Sequence, residues 1–487
     1  MQRRLDLLLL PVICLGLSVG AWALLRVEAP PAPPPRVALP LRAAPVSHAG
    51  FFAGPFESGS EVTQACLRCH QDAAKQVMQT AHWTWAGQHA VLPGQQAPTA
   101  IGKKNLINNF CISIAANWPR CTICHAGYGW DGPDFFAKAG EAQVDCLVCH
   151  DQSGQYVKGS AGQPAPGTDL LVAAKSVGRA TRSNCGACHF AGGGGDAVKH
   201  GDLDGTMHHP AARIDVHMGR ADLQCTACHG GAGHVIRGRI LPLEEAPETR
   251  ARCTDCHATA PHTSERLNAH LSAVSCEACH VPFIAIDAAT KTSWDWSQAG
   301  QDPEQVAARD PEVAQDHHLY DKKKGRFTYA RHVAPEYAWY DGTSTRYLPG
   351  QAIEPGAVVA IVRPNGKKDD GKARIWPFKV HRGQQPYDLQ GKHLLTPQTY
   401  GKDGYWTTFD WKLAIERGTQ ASGLPFSGRY GWAKTEMAWP INHMVQRKQD
   451  ALGCADCHGA QGRLDWRALG YAGDPAAGGG RWTGGAR

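Results

Sequence analysis

Cys121-Thr122-Ile123-Cys124-His125 decides how this chain folds, because its pattern, two cysteines three apart with a histidine directly after, occurs eight times. Before it stands Cys66-Leu67-Arg68-Cys69-His70. After it come Cys146 and Cys149 with His150, Cys185 and Cys188 with His189, and Cys225 and Cys228 with His229. Cys253 and Cys256 with His257, Cys276 and Cys279 with His280, and Cys454 and Cys457 with His458 complete the set. Two thiols at that spacing add across the two vinyl groups of a haem, and the next imidazole turns onto the iron as proximal ligand. Of 18 cysteines only Cys14 and Cys111 stay outside the pattern.

Zinc ribbons and disulfide frameworks also pair cysteines, but neither needs a histidine after the second one. With 24 His in 487 residues, eight such coincidences have odds on the order of 10⁻¹⁰. The sequence therefore reads as carrying eight covalently attached haem c groups. A hydrophobic share of 43% with 19% charged residues excludes a disordered chain. The formal charge of +6 omits the haem propionates, which reverse its sign, and no Lys/Arg cluster supports a nucleic-acid partner.

Arg3 and Arg4 precede an apolar run, residues 7–25, broken by Pro11 and containing Ala21-Trp22-Ala23, a small-x-small site for a signal peptidase. The run is also just long enough to span a bilayer, so residues 1–28 read as a signal peptide or a membrane anchor. Cys14 falls inside this leader. Residues 29–60 hold a Pro-rich spacer. Either reading places the body outside the cytoplasm, in the periplasm, where bacteria attach haem covalently.

The first seven units start 55, 25, 39, 40, 28 and 23 residues apart, and the eighth starts 178 residues after the seventh. Residues 61–280 thus form a seven-haem domain, 281–453 a haem-poor wrapping segment, and 454–487 the eighth haem with a loose Gly-rich tail. Haems replace most of a conventional core, so the expected fold is mainly α with much irregular structure, a multihaem cytochrome c fold packed around eight haems. Residues 71–80 and 264–273 read as helical and Gly192 to Gly195 as a loop. A few short β-hairpins are expected within 281–453, around Tyr337 to Gly342 and from Ala357 to Val380 about Pro364-Asn365-Gly366.

A haem that only carries electrons takes a second strong ligand. Among histidines outside the units, the candidates for distal ligands are His82, His217, His234, His262, His270, His443 and His381, with His200 next and His208 and His209 weaker. Pairings do not follow from spacing. No unit has Lys in place of the proximal His, so an open haem is not marked by its motif.

Several long strings are unlike generic cytochrome sequence. They are Asn108-Asn109-Phe110-Cys111-Ile112, the run from Arg120 to Trp130, Cys146-Leu147-Val148-Cys149-His150-Asp151, and Gly192 to Asp196 continuing into Ala197-Val198-Lys199-His200-Gly201-Asp202. Asp215-Val216-His217-Met218 and Pro377-Phe378-Lys379-Val380-His381 are two more. On these the chain resembles, from about Cys66 to Tyr471, the octahaem tetrathionate reductases, c-type cytochromes related to hydroxylamine oxidoreductase. The resemblance implies that the second haem, on Cys121 and Cys124 with proximal His125, is the active one. Its distal ligand would be Lys199, with Asp196 and Cys111 beside it as catalytic residues; Lys158 is the rival lysine.

An amine must shed its proton to bind iron, which makes lysine a more easily displaced ligand than imidazole. A free thiol can attack or position a sulfur–sulfur bond. The expected activity is multi-electron reduction of a small sulfur or nitrogen compound (tetrathionate, nitrite or hydroxylamine), fed through bis-His haems by an electron-donor protein. An electron relay without turnover is an alternative. A hydroxylamine or hydrazine oxidase is another, but its relatives use a crosslinked tyrosine after the last unit, where only Tyr471 stands. Expected partners are a small inorganic substrate anion, the donor (quinol-linked or a soluble cytochrome) and, with the leader retained, a membrane; a homo-oligomer is compatible with the sequence.

Overall fold

The computed structural model of the chain describes residues 46–238 and 250–478. The leader and most of the Pro-rich spacer lie outside them. Among the described residues no helix is long and apolar enough to cross a membrane.

Two kinds of structure divide the chain at about residue 281. Up to that point the elements are mostly helices of one or two turns, separated by bends. The attachment units ride on such turns, as in Cys225–His229 and Cys276–His280, because residues three apart on a helical turn point to the same side. The expected helices are present as Ala73–Met78 and Glu265–His270. A two-residue ladder, β1 (His89–Ala90) with β2 (Thr99–Ala100), is the only sheet described before residue 281. Apolar side chains gather in separate small clusters such as Val62, Leu147, Leu170 and Ala173.

Beyond residue 281 the chain builds more sheet than the hairpins expected. Strands β3 (Thr290–Asp295), β4 (Tyr320–Asp321), β5 (Gly325–Ala330), β6 (Glu336–Tyr340), β7 (Ser344–Arg346), β8 (Val359–Pro364), β9 (Arg374–Asp388) and β10 (Tyr430–Pro440) form one mixed sheet. Its order is β4-β5-β3-β9-β10-β8-β7, and β6 borders the first half of β9 where β3 borders the second. The hairpin expected over Ala357 to Val380 does not form: β8 and β9 are separated by β10, which pairs antiparallel with β9 and parallel with β8. Nor do Tyr337 to Gly342 close on themselves, since β6 pairs with β9. The long β9 is buried over most of its length because both faces are covered.

The largest apolar cluster joins this sheet to the loop around Phe110, uniting Ile107, Phe110, Ile112, Trp294, Trp296, Phe327 and Met437. The segment after His458 is not loose as far as residue 478. Leu464 and Leu469 are buried, and Trp339 Nε1 donates to the Leu469 carbonyl at 2.8 Å. Tyr471 packs there with Trp339, Trp466 and Cys457, beside the eighth unit.

Candidate functional site

The histidines of the units are not scattered. Seven of the eight face one further imidazole with ring centres 6.0 to 6.4 Å apart. His70 faces His48, His150 faces His234, His189 faces His82, and His229 faces His443. His257 faces His217, His280 faces His262, and His458 faces His270. Two imidazoles bonded at about 2 Å to opposite sides of one iron put their ring centres about 6 Å apart, so these faces fit a haem between them.

The hydrogen bonds agree. Nδ1 of His150, His229, His270 and His48 meets the carbonyls of Gly178, Arg237, Arg266 and Val46. Nδ1 of His234 and His262 meets the amide oxygens of Gln76 and Asn268. Nε2 is thereby left for a metal. His82, His217, His234, His262, His270 and His443 all stand where distal ligands belong. His48 was missed by sequence reading, because it sits within the spacer.

Four candidates do not stand there, among them the exposed His209. His200 lies against Trp439 and His208 against Phe190. His381 faces no proximal histidine: strand β9 buries it in the sheet, where its Nδ1 meets Asn109 Oδ1 at 3.1 Å.

The thiols show how the units adjoin. Cys66 of the first unit faces Cys146 of the third, Cys124 of the second faces Cys188 of the fourth, and Cys185 of the fourth faces Cys225 of the fifth. Cys149 neighbours Cys185, Cys228 neighbours Cys256, Cys253 faces Cys276, and Cys279 neighbours Cys457. The units therefore run one-three-four-five-six-seven-eight, with the second branching from the fourth.

That second unit is the exception in its ligands too. His125 is fully buried among Trp83, Trp85, Trp130 and Phe135, and among the described residues no imidazole faces it. Its Nδ1 has no partner, and its Nε2 meets the Trp83 carbonyl. Beside this unit stand two loops, through Cys111 near Cys121 and Lys199 near Cys124, and both loops are tied to one sheet. Trp294 pairs with Gly383, and Lys379 and His381 precede Gly383 at two-residue steps, so all lie on one face, together with Trp439 opposite Lys379. Lys291 joins them through a bulge. The register against β5 slips between Lys291 and Ser293, so Lys291 and Trp294, three apart, stand opposite Tyr329 and Phe327 and share a side.

The first loop is Asn108 to Ile112. Asn108 Oδ1 accepts from the amides of Phe110 and Cys111, and the left-handed Ile112 (φ 67°) turns the chain. Gln385 Nε2 donates to the Asn108 carbonyl and Trp296 Nε1 to the Phe110 carbonyl, which ties the loop to the sheet. The second loop is Gly192 to Lys199. Gly194 (φ 114°) has a position where a Cβ would sit 3.4 Å from both Cys111 Sγ and the Trp294 ring. Its end is clamped: Lys379 Nζ donates to the Val198 carbonyl at 2.8 Å and to Thr290 Oγ1 at 2.6 Å, and Thr290 Oγ1 donates to the Ala197 carbonyl.

Lys199 emerges from this clamp with Nζ 4.8 Å from the Trp439 ring and Cys124 as an electrostatic neighbour. Burial, with Lys103 and Arg346 nearby, brings its amine down to about 7. Cys111 neighbours Cys121; burial pushes its thiol up to about 11 against the pull of Lys291. Lys291, which sequence reading missed, is buried with Nζ 3.9 Å from the Trp294 ring and 3.4 Å from Phe327, and burial brings it down to about 7. His381 Nε2 is buried without a partner.

Two further residues singled out in the sequence lie apart from this group. Asp196 is exposed and its Oδ1 accepts from the Gly205 amide at 2.7 Å, so it closes a surface turn. Lys158, the rival ligand, is locked instead in a buried ion pair with Asp145, whose oxygens also accept from Tyr128 and Tyr156.

A family model described as "Cytochrome c bacterial" matches residues 291–461, and one described as "Cytochrome c554 and c-prime" matches 65–151 and 237–281. An uncharacterized protein of Archaeoglobus fulgidus is 25% identical over 225 residues, 36% of this chain and 74% of that protein. The crystal structure of octaheme cytochrome c from Shewanella oneidensis is 45% identical, with a TM-score of 0.81, covering 89% of this chain and 98% of that one. With eight attachment units and that likeness over nearly the whole relative, the chain is a c-type cytochrome that binds eight haems covalently, carries electrons, and belongs to the octahaem cytochromes of the octahaem tetrathionate reductase family.

Proposed function

We propose that this cytochrome is a periplasmic reductase of small oxidised sulfur or nitrogen compounds, working at the haem on Cys121 and Cys124. The observation that carries the reading is the contrast at His125: seven proximal histidines face an imidazole, and this one faces none of the described imidazoles while Lys199 approaches its unit. The seven facing pairs would each hold a haem between two imidazoles, and His125 with Lys199 would hold the haem on Cys121 and Cys124. The haems would supply one-electron transfer and, at this unit, an iron able to bind a substrate anion.

The chain's own groups do the rest. Burial brings the Lys199 amine down to about 7, so near neutrality a share of it is unprotonated and could ligate, as a more easily displaced ligand than imidazole. Once displaced it takes up a proton beside that anion. Lys291, caged by Trp294 and Phe327 and likewise brought down to about 7, would offer a positive charge to an anion below that pH. Cys111 lies close to Lys291, and burial keeps its thiol protonated, so it would help to position a sulfur compound rather than attack it. The Asn109 side chain fixes the His381 ring so that Nε2 is free to hold or pass a proton. Electrons arrive through the other seven units from a donor cytochrome or a quinol-linked protein.

Low-temperature EPR of the ferric holoprotein tests this, with tetrathionate, nitrite and hydroxylamine added in turn and Lys199→Ala alongside. One centre that differs from seven bis-imidazole signals, shifts with an added compound and changes in the variant is the expected result. Eight low-spin centres indifferent to every compound and unchanged in the variant would leave an electron relay.

A further inference from the structure

The imidazoles facing one another differ in what holds their second nitrogen. Most of the Nδ1 partners described above are neutral carbonyl or amide oxygens. Two are carboxylates: His443 Nδ1 donates to Asp202 Oδ2 at 3.0 Å and His458 Nδ1 to Asp474 Oδ1 at 2.6 Å. His217 comes only within 4.0 Å of Asp215, too far for a hydrogen bond. Neither carboxylate is free to swing away. The buried Asp202 also accepts from the amides of Asn442 and His443 at 2.9 and 3.0 Å, and Asp474 from those of Gly459 and Ala476 at 2.6 and 2.9 Å.

We infer that Asp202 and Asp474 make the haems on Cys225–Cys228 and Cys454–Cys457 the low-potential members of the bis-imidazole set. This rests on the reading of the facing imidazoles as axial ligands. A carboxylate that accepts the second N–H of a ligating histidine gives the ring imidazolate character, strengthens it as a donor and favours the ferric iron. Both residues act through a ligand and are positioning residues.

The placement gives the difference a use. The fifth unit joins the fourth, through Cys225 and Cys185, to the sixth, through Cys228 and Cys256. A low potential there separates units six to eight from units one to four, which include the Lys199 site. In a partly reduced molecule, electrons that have passed the fifth unit then rest beside that site, where a multi-electron reduction needs them. The eighth unit, at the other end of the series, demands a strongly reducing donor.

The test is a potentiometric titration of the holoprotein followed optically and by EPR, for wild type, Asp202→Asn, Asp474→Asn and His443→Ala. Each Asp→Asn change is expected to raise the reduced-to-oxidised ratio of one haem at fixed potential about tenfold, a shift of about 59 mV. It also alters one low-spin signal and leaves the Lys199-dependent centre as it was. His443→Ala is expected to turn one low-spin centre high-spin. If it does so while both Asp→Asn variants titrate as wild type, the inference falls and the ligand assignment stands. If it leaves every centre low-spin, the ligand assignment itself fails. Should Asp202→Asn not fold, Asp474→Asn, near the surface, decides the matter alone.

Discussion

The part of the chain before residue 281 and the sheet after it are ordered by different means. In the first, short turns carry the attachment units, apolar clusters are small and separate, and the repeated features are imidazoles and thiols facing across cofactor-sized gaps. In the second, a hydrogen-bonded ladder aims side chains at two-residue intervals, and one bulge turns Lys291 to the needed side. Turns there carry seven attachment units, and six of their histidines face a further imidazole across a gap that fits a haem. The second unit differs: its histidine faces none of the described imidazoles, and beside its thiols stand Cys111 and Lys199, carried by two loops that are tied to the sheet.

Four changes probe that contrast. Lys158→Met, wholly within the first part, strips the buried Asp145 of its cation and is expected to cost about 3–5 kcal/mol of stability. A lowered denaturant midpoint with unchanged EPR would separate this structural lysine from Lys199; an altered haem centre would blur the two. Lys199→His makes the eighth position like the other seven, and reductase turnover is expected to fall about 100-fold, or about 2.7 kcal/mol. Unchanged turnover would show that the open site lies elsewhere.

Lys291→Met removes the charge that the bulge delivers; a rise in KM for an anionic substrate of about tenfold, about 1.4 kcal/mol, is expected with kcat little changed. The sign with pH follows from its lowered value of about 7: the amine is cationic below that pH and neutral above it, so in wild type KM rises as pH passes upward through 7. The variant should lose that rise, and a persistent one would assign it to another group. Asp196→Asn changes only an exposed turn, so an effect under about 0.5 kcal/mol on stability, and none on KM, is expected. A large loss of turnover would restore it to the site.

Much of the site could be read in the sequence, but unevenly. His82, His217, His234, His262, His270 and His443 were marked by being histidines near attachment units, and each faces a proximal ring. His381 carried the same mark and lies elsewhere, because a strand, not a turn, directs it. Lys291 carried none. A lysine in a strand between threonines reads as solvated, and only the slipped register turns it inward.

The sequence by itself determined the cofactor, since eight repeats of a covalent attachment chemistry admit one reading, and with it the largely irregular first part. The tertiary structure alone decided which imidazole faces which, how the units adjoin, that the strands within residues 281–453 join in one sheet, and which lysine stands near the second unit. The physical reason is that attachment is local, needing three side chains within five consecutive residues. Axial pairing and the shape of the site join residues far apart in the chain, as Asn109 and His381 are, and such contacts leave no periodic trace in the sequence.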